Sequence, residues 1–147
     1  MKRQAFSLIS LLTLLTLFLV AGSAIAQTVH VRADIPFNFA VGNKTFPAGT
    51  YDVGSIGSGD SKTLLLQARD SNASMLVSSN LAQTLEPANK TKLVFNRYGK
   101  QYFLSQIWVQ EANCGHQLLK SNREKEVAKE IAQNLTHERF EIVASLQ

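Results

Sequence analysis

Cys114-Gly115-His116 sets the only thiol of the chain two residues from an imidazole. An imidazole near a thiol lowers its pKa and turns it into a nucleophile or a soft metal ligand. A zinc centre needs three or four protein ligands, however, and one cysteine supplies a single sulfur. His30 and His137 stand near opposite ends of the sequence that follows residue 26, so only the fold could recruit them. The plainer reading of Cys114 and His116 is a flexible loop between a strand and a helix. No metal or other cofactor is expected.

The remaining polar groups offer less. Asp34, Asp52, Asp60, Asp70, Glu86 and Glu111 are scattered over turns and strand ends, where aspartate commonly caps backbone. No Gly-x-Ser-x-Gly elbow occurs, and no glycine-rich loop opens a helix in phosphate-binding form. No catalytic residue is therefore nominated. The aromatics are the better candidates for contact with a partner. Tyr98 falls in a turn beside Arg97, with Tyr102 and Trp108 on the strand that follows. Rings exposed next to an arginine stack on sugars, peptides or another protein. The competing reading places Tyr102 and Trp108 in the core and Tyr98 over a hairpin end. Four Asn-x-Ser/Thr sequons, at Asn43, Asn72, Asn89 and Asn134, sit in polar turns.

These groups need elements to hold them. Ile35, Phe37, Phe39 and Val41 alternate with polar positions, as a half-buried strand requires. Gly42-Asn43 offers a turn, and Phe46-Pro47-Ala48-Gly49 offers another before Thr50-Tyr51-Asp52-Val53 resumes the alternation. Gly57 to Ser61 reads as a loop, 63–69 and 75–79 as strands, and 80–90 as a polar loop. Segments 92–97 and 101–109 form the clearest hairpin, joined by Tyr98-Gly99-Lys100. Strict alternation would put Tyr102, Leu104, Gln106 and Trp108 on one face, and Phe103, Ser105, Ile107 and Val109 on the other.

Helical spacing appears once. Ser121-Asn122-Arg123-Glu124 matches a capping box, and Val127, Ile131 and Leu135 follow at four-residue intervals with Ala128 and Ala132 beside them. Glu124, Lys125, Glu126, Lys129 and Glu130 would line the wet side. Phe140, Ile142 and Ala144 then alternate again. The expected fold is mainly β: one β-barrel or β-sandwich of about eight strands, with a helix in the C-terminal region followed by a last strand.

The first 26 residues read as a cleavable export signal. Lys2 and Arg3 precede a leucine-rich apolar run, and Ala24-Ile25-Ala26 fits an A-x-A processing site, so cleavage is expected between Ala26 and Gln27. An uncleaved anchor is the alternative, since residues 5–26 carry no charge. Residues 27–147 then form one globular domain, large enough to bury a core without disulfides. The net charge is +4, and Lys2 and Arg3 carry two of those charges. The remaining basic residues form no stripe, which gives nucleic-acid binding little electrostatic support. No membrane span is expected once the signal is removed.

Three segments together resemble a group of small exported, uncharacterised proteins of environmental bacteria. They are Phe39-Ala40-Val41-Gly42 running into Phe46-Pro47-Ala48-Gly49-Thr50-Tyr51, then Phe95-Asn96-Arg97-Tyr98-Gly99-Lys100-Gln101-Tyr102-Phe103-Leu104 with Ile107-Trp108, and finally Leu119 to Glu126. The resemblance implies a bacterial periplasmic or extracellular setting and carries over no active-site residue. Residues 46–53 are also similar to a turn and strand of bacterial prealbumin-like sandwich modules. The barrel outline is similar to lipocalins, although their Gly-x-Trp is missing here.

Function is expected to be non-enzymatic: an exported module that binds an envelope protein or supports the cell surface. A barrel carrying a small apolar ligand is the alternative, lined by Phe37, Phe39, Val94 and Leu104. An enzyme whose groups meet only through the fold is the third reading.

Overall fold

Val31, Ala33 and Ile35 are buried while Arg32 and Asp34 keep contact with water, and this two-residue period builds the first strand, β1 (His30–Ile35). The computed structural model describes residues 30–57, 62–132 and 138–146. The expected export signal with Ala26 and Gln27 lies outside them, as do Leu135 and His137. The strands after β1 are β2 (Phe39–Val41), β3 (Lys44–Phe46), β4 (Gly49–Ser55), β5 (Thr63–Ala68), β6 (Ser74–Gln83), β7 (Lys92–Tyr98), β8 (Gln101–Trp108) and β9 (Cys114–Leu118). Helix α1 (Asn122–Ala132) follows, then β10 (Glu138–Val143) and β11 (Ser145–Leu146). The described residues are mainly β with one late helix, as expected. None of the described helix is long and apolar enough to cross a membrane.

Hydrogen-bonded neighbours run β10-β7-β8-β9-β6-β5-β4-β1-β11, with the β2–β3 hairpin attached to β8. Two corners fold this path around one core. β6 pairs with β5 through 74–78 and with β9 through 79–83, so one unbroken strand serves two sheets. The other corner is the C-terminal segment. β10 lies on β7 and β11 on β1, with only Ala144 between them. Among the described residues the path of hydrogen bonds does not close there, so the sheet is an open, barrel-like sandwich. Strands that change sheet at bends make such corners in orthogonally packed β proteins.

The count is eleven strands among the described residues, against the eight expected. Pro36 cannot donate to a ladder, and the expected strand from Ile35 to Val41 breaks there into β1 and β2. β6 runs on to Gln83 although Asn80 and Gln83 are polar, because β9 pairs along it. Cys114 to Leu118 form β9, held by β6 on one side and β8 on the other, where a flexible loop was expected. Its Cys-Gly-His-Gln-Leu sequence carries little strand propensity; non-local pairing supplies the order.

Phe39, Phe46, Tyr51 and Phe95 fill the centre, with Phe39 centroids 5.0 Å from Tyr51 and 5.6 Å from Phe46 and Phe95. Leu64, Leu66, Leu93, Leu104 and Ile107 complete that core. β7 turns alternate residues to opposite layers. Leu93 and Phe95 join the core; Tyr98 packs with Ala40 and Phe103 under Val127, Ala128 and Ile131 of α1. The apolar stripe of the helix therefore covers the outside of the sheet.

The cap departs from expectation on one point. Ser121 Oγ accepts from the Glu124 amide at 3.1 Å, as a capping serine does. The Glu124 side chain is buried instead of solvated, at 4% exposure. Its Oε1 accepts from Asn96 Nδ2 at 2.8 Å and from the Tyr98 hydroxyl at 3.3 Å. Buried polar groups need such partners, and here they pin the start of α1 to β7.

Candidate functional site

Arg97 and Tyr102 meet because β7 and β8 pair directly across the hairpin at that point. Tyr98 pairs with Gln101, which leaves Gly99-Lys100 as a two-residue turn. Gly99 has φ 60°, the left-handed value that a glycine accepts freely. Arg97 Nε donates to Gly99 O at 2.9 Å, and its guanidinium carbon lies 5.7 Å from the Tyr102 centroid. Tyr102 stacks on Phe37 at 4.0 Å and 19°. Phe37 in turn meets Phe95 edge-on at 5.3 Å and Phe140 at 5.5 Å.

Strand β10 completes this cluster. Its register sets Glu138 opposite Arg97, Phe140 opposite Phe95 and Ile142 opposite Leu93. Arg97 Nη1 donates to Glu138 Oε2 at 3.1 Å. Phe140 remains 40% exposed, and Phe37 and Tyr102 are half-buried, so the ring surface reaches water. A clamped guanidinium beside partly wet rings can stack on a planar group and donate to an acceptor.

An open cleft of about 490 Å³ adjoins the cluster, lined by Asp34, Ile35, Pro36, Ala48, Gly49, Thr50 and Ile142. It marks the seam between the end of β1 and β10. Asp34 Oδ1 accepts from Thr50 Oγ1 at 2.6 Å on its wall.

Tyr98 and Trp108 lie elsewhere. Tyr98 is buried beneath α1, where burial first, and the Glu124 carboxylate after it, raise its pKa against the opposing Lys120. Trp108 is buried on the outer layer because of a bulge. Val94 pairs with Gln106 and Phe95 with Leu104, so Ser105 is an extra residue without an opposite. A bulge reverses every face that follows it. Leu104 and Ile107 thus both enter the core, while Gln106 and Trp108 face outward, against the alternation expected from sequence. Trp108 Nε1 donates to Gln106 Oε1 at 3.1 Å.

Cys114 and His116 are separated in role. Cys114 is exposed. His116 Nδ1 lies 3.0 Å from Ser79 Oγ, and burial lowers the pKa of its ring. Ser79 is itself buried and donates its hydroxyl proton to Lys62 O at 3.2 Å. A nucleophile must be reached by substrate, and this hydroxyl is enclosed; the pair clamps β9 and the start of β5 to β6. Gly115 seats the indole, since a Cβ there would lie 2.6 Å from Trp108 Cε3 and from Ile107 O. Among the described residues no group of three or more His, Cys, Asp or Glu side chains could hold a metal ion.

Sequence reasoning named Arg97 and Tyr102 but missed Phe37 and Phe140 as their companions. The signal was present in reverse order across two distant segments. Leu93, Phe95 and Arg97 match Ile142, Phe140 and Glu138 in apolar, aromatic and charged character. No protein-family model, no curated protein and no solved structure matches this chain.

Proposed function

We propose that this chain is an exported, non-enzymatic binding module that holds a macromolecular partner against Arg97, Tyr102, Phe37 and Phe140. One observation carries the reading: a guanidinium fixed by Glu138 and Gly99 beside a partly exposed sandwich of rings at the open seam of the sheet. Aromatic and arginine side chains of this kind supply most of the binding energy at protein surfaces. The leader-like first 26 residues, and the likeness of three segments to small exported bacterial proteins, support a periplasmic or extracellular setting.

A photoreactive amino acid placed at position 140, and separately at exposed Leu76, tests this in living cells. The expected result is one discrete heavier adduct from position 140, missing from position 76 and lost on Arg97→Ala. Equal labelling from both positions, or none from 140, would refute the reading. A product of twice the chain mass counts as self-contact and not as the partner.

The carrier reading changes its location. Phe39 and Leu104, expected to face an enclosed ligand, pack into the filled core. The seam cleft offers a place for a small ligand among the described residues, with apolar Ile35, Pro36 and Ile142 beside polar Asp34 and Thr50. Native mass spectrometry of protein from its own host would reveal a bound small molecule.

A further inference from the structure

Three strands have a hydrogen-bonded partner on one side only among the described residues: β3, β10 and β11. β11 has two residues, and β3 has three with Lys44 held over Phe46. β10 has six, and three of them, Glu138, Arg139 and Glu141, are charged, the kind of side chain with which natural sheets keep unmatched strands off an exposed edge. Five of those six residues are exposed. At about 3.4 Å per residue, this edge offers a row of backbone donors and acceptors roughly 20 Å long. The seam cleft lies beside Ile142, near the C-terminal end of this edge.

The charges along β10 select its occupant. Its sequence is Glu138-Arg139-Phe140-Glu141-Ile142-Val143. In an antiparallel pair of two identical strands, each register is defined by the residue on the two-fold axis. With Arg139 on the axis, two guanidinium groups face each other. With Glu141 there, two carboxylates do. An axis between Arg139 and Phe140 sets Glu138 against Glu141 twice. An axis between Phe140 and Glu141 pairs no charges at all. With Phe140 on the axis, Arg139 opposes Glu141 of the second copy on both sides, Phe140 meets its own copy, and Glu138 opposes Ile142. Parallel pairing in register would stack like on like. Of these registers, the one about Phe140 sets opposite charges against each other; like charges meet in the rest except the one that pairs none.

We infer that two copies of this chain associate edge to edge through β10, about a two-fold axis at Phe140. Arg139 has no ion pair among the described residues, so the second copy gives it its carboxylate. Glu141 already accepts from Lys92 Nζ at 2.7 Å and has a second oxygen for the incoming guanidinium. Residues directly opposite share a face, so the two Phe140 rings meet on the face that carries Tyr102 and Phe37. The two ring clusters then become neighbours across the axis. This association stands apart from the partner reading above, because it is read from mass and not from ligand binding.

Sedimentation equilibrium across the micromolar range tests it on protein purified as its host produces it. Wild type is expected to dimerise reversibly. Arg139→Glu alone, or Glu141→Arg alone, replaces two attractive pairs with two repulsive ones and weakens the dimer by about tenfold or more. The double reversal in one chain restores it, and mixing the two single variants produces a heterodimer. Circular dichroism matching wild type confirms that each variant is folded, and the mixing arm reads complementarity even if one variant is less stable alone. A monomer at every concentration would overturn the inference, as would a dimer indifferent to single reversals or a double variant no better than either single.

Discussion

The sheet turns two corners, and they are built in opposite ways. At β6 a continuous strand is paired along its length, first with β5 and then with β9. Ser79, at the point of change, is buried and bonds to both sides: its amide and hydroxyl reach Lys62 O, and the hydroxyl meets His116. At the C-terminal corner the segment breaks at Ala144, β10 has a hydrogen-bonded strand on one side only among the described residues, and Phe140 and Val143 stay exposed. The first corner satisfies its polar groups internally. The second leaves backbone, rings and charges available to something outside. Stability is concentrated at one corner and surface chemistry at the other.

The largest expected break is at the closed corner. Gly115→Ala drives a methyl group into Trp108 and a backbone oxygen, and overpacking of this kind costs about 1–3 kcal/mol. A fall in the urea midpoint at unchanged slope would record it; an unaltered midpoint would show that the indole can move aside. Ser79→Ala comes next. It strips a buried partner from His116 and a donor from Lys62 O, a loss of about 1–2 kcal/mol by the same measurement. Phe140→Ala at the seam removes a ring that is still partly wet, and about 1 kcal/mol is expected. If it proves costlier than Ser79→Ala, the contrast between the corners is wrong.

The smallest effect is a pH dependence. Burial holds the folded His116 ring below its ordinary value of 6.5, so the unfolded chain takes up the proton first. This contribution to stability is complete above that value and declines as the pH falls through it. It levels off once the folded ring is protonated too. Chemical denaturation of wild type and His116→Asn from pH 8 to pH 5 isolates it: the difference between them should shrink on acidification.

Local patterns were legible in the sequence and long-range pairing was not. Val31 to Ile35, Thr50 to Val53 and the hairpin around Gly99 announce themselves through alternation and turn residues. Ser121 announces a helix start. β9 does not, because Cys114 to Leu118 become a strand only when β6 and β8 arrive on both sides. Ser105 looks like any polar strand residue, yet as a bulge it sends Trp108 outward. Glu124 reads as a solvated helix residue until Asn96 and Tyr98 are brought beneath it. Half of the ring cluster was visible as Arg97 and Tyr102 on adjacent strands. The other half, Phe37 and Phe140, depends on a contact between segments more than a hundred residues apart.

Segment 138–146 supplies both ends of the strand path, and Val31 finds its partner in Leu146. A polypeptide delivered N-terminus first therefore has its first strand half-clad until the tail emerges. Loop closure over nearly the whole described chain must precede that final ladder, which makes maturation slow. The ladder between Val31 and Leu146 is therefore among the last contacts such a chain can make.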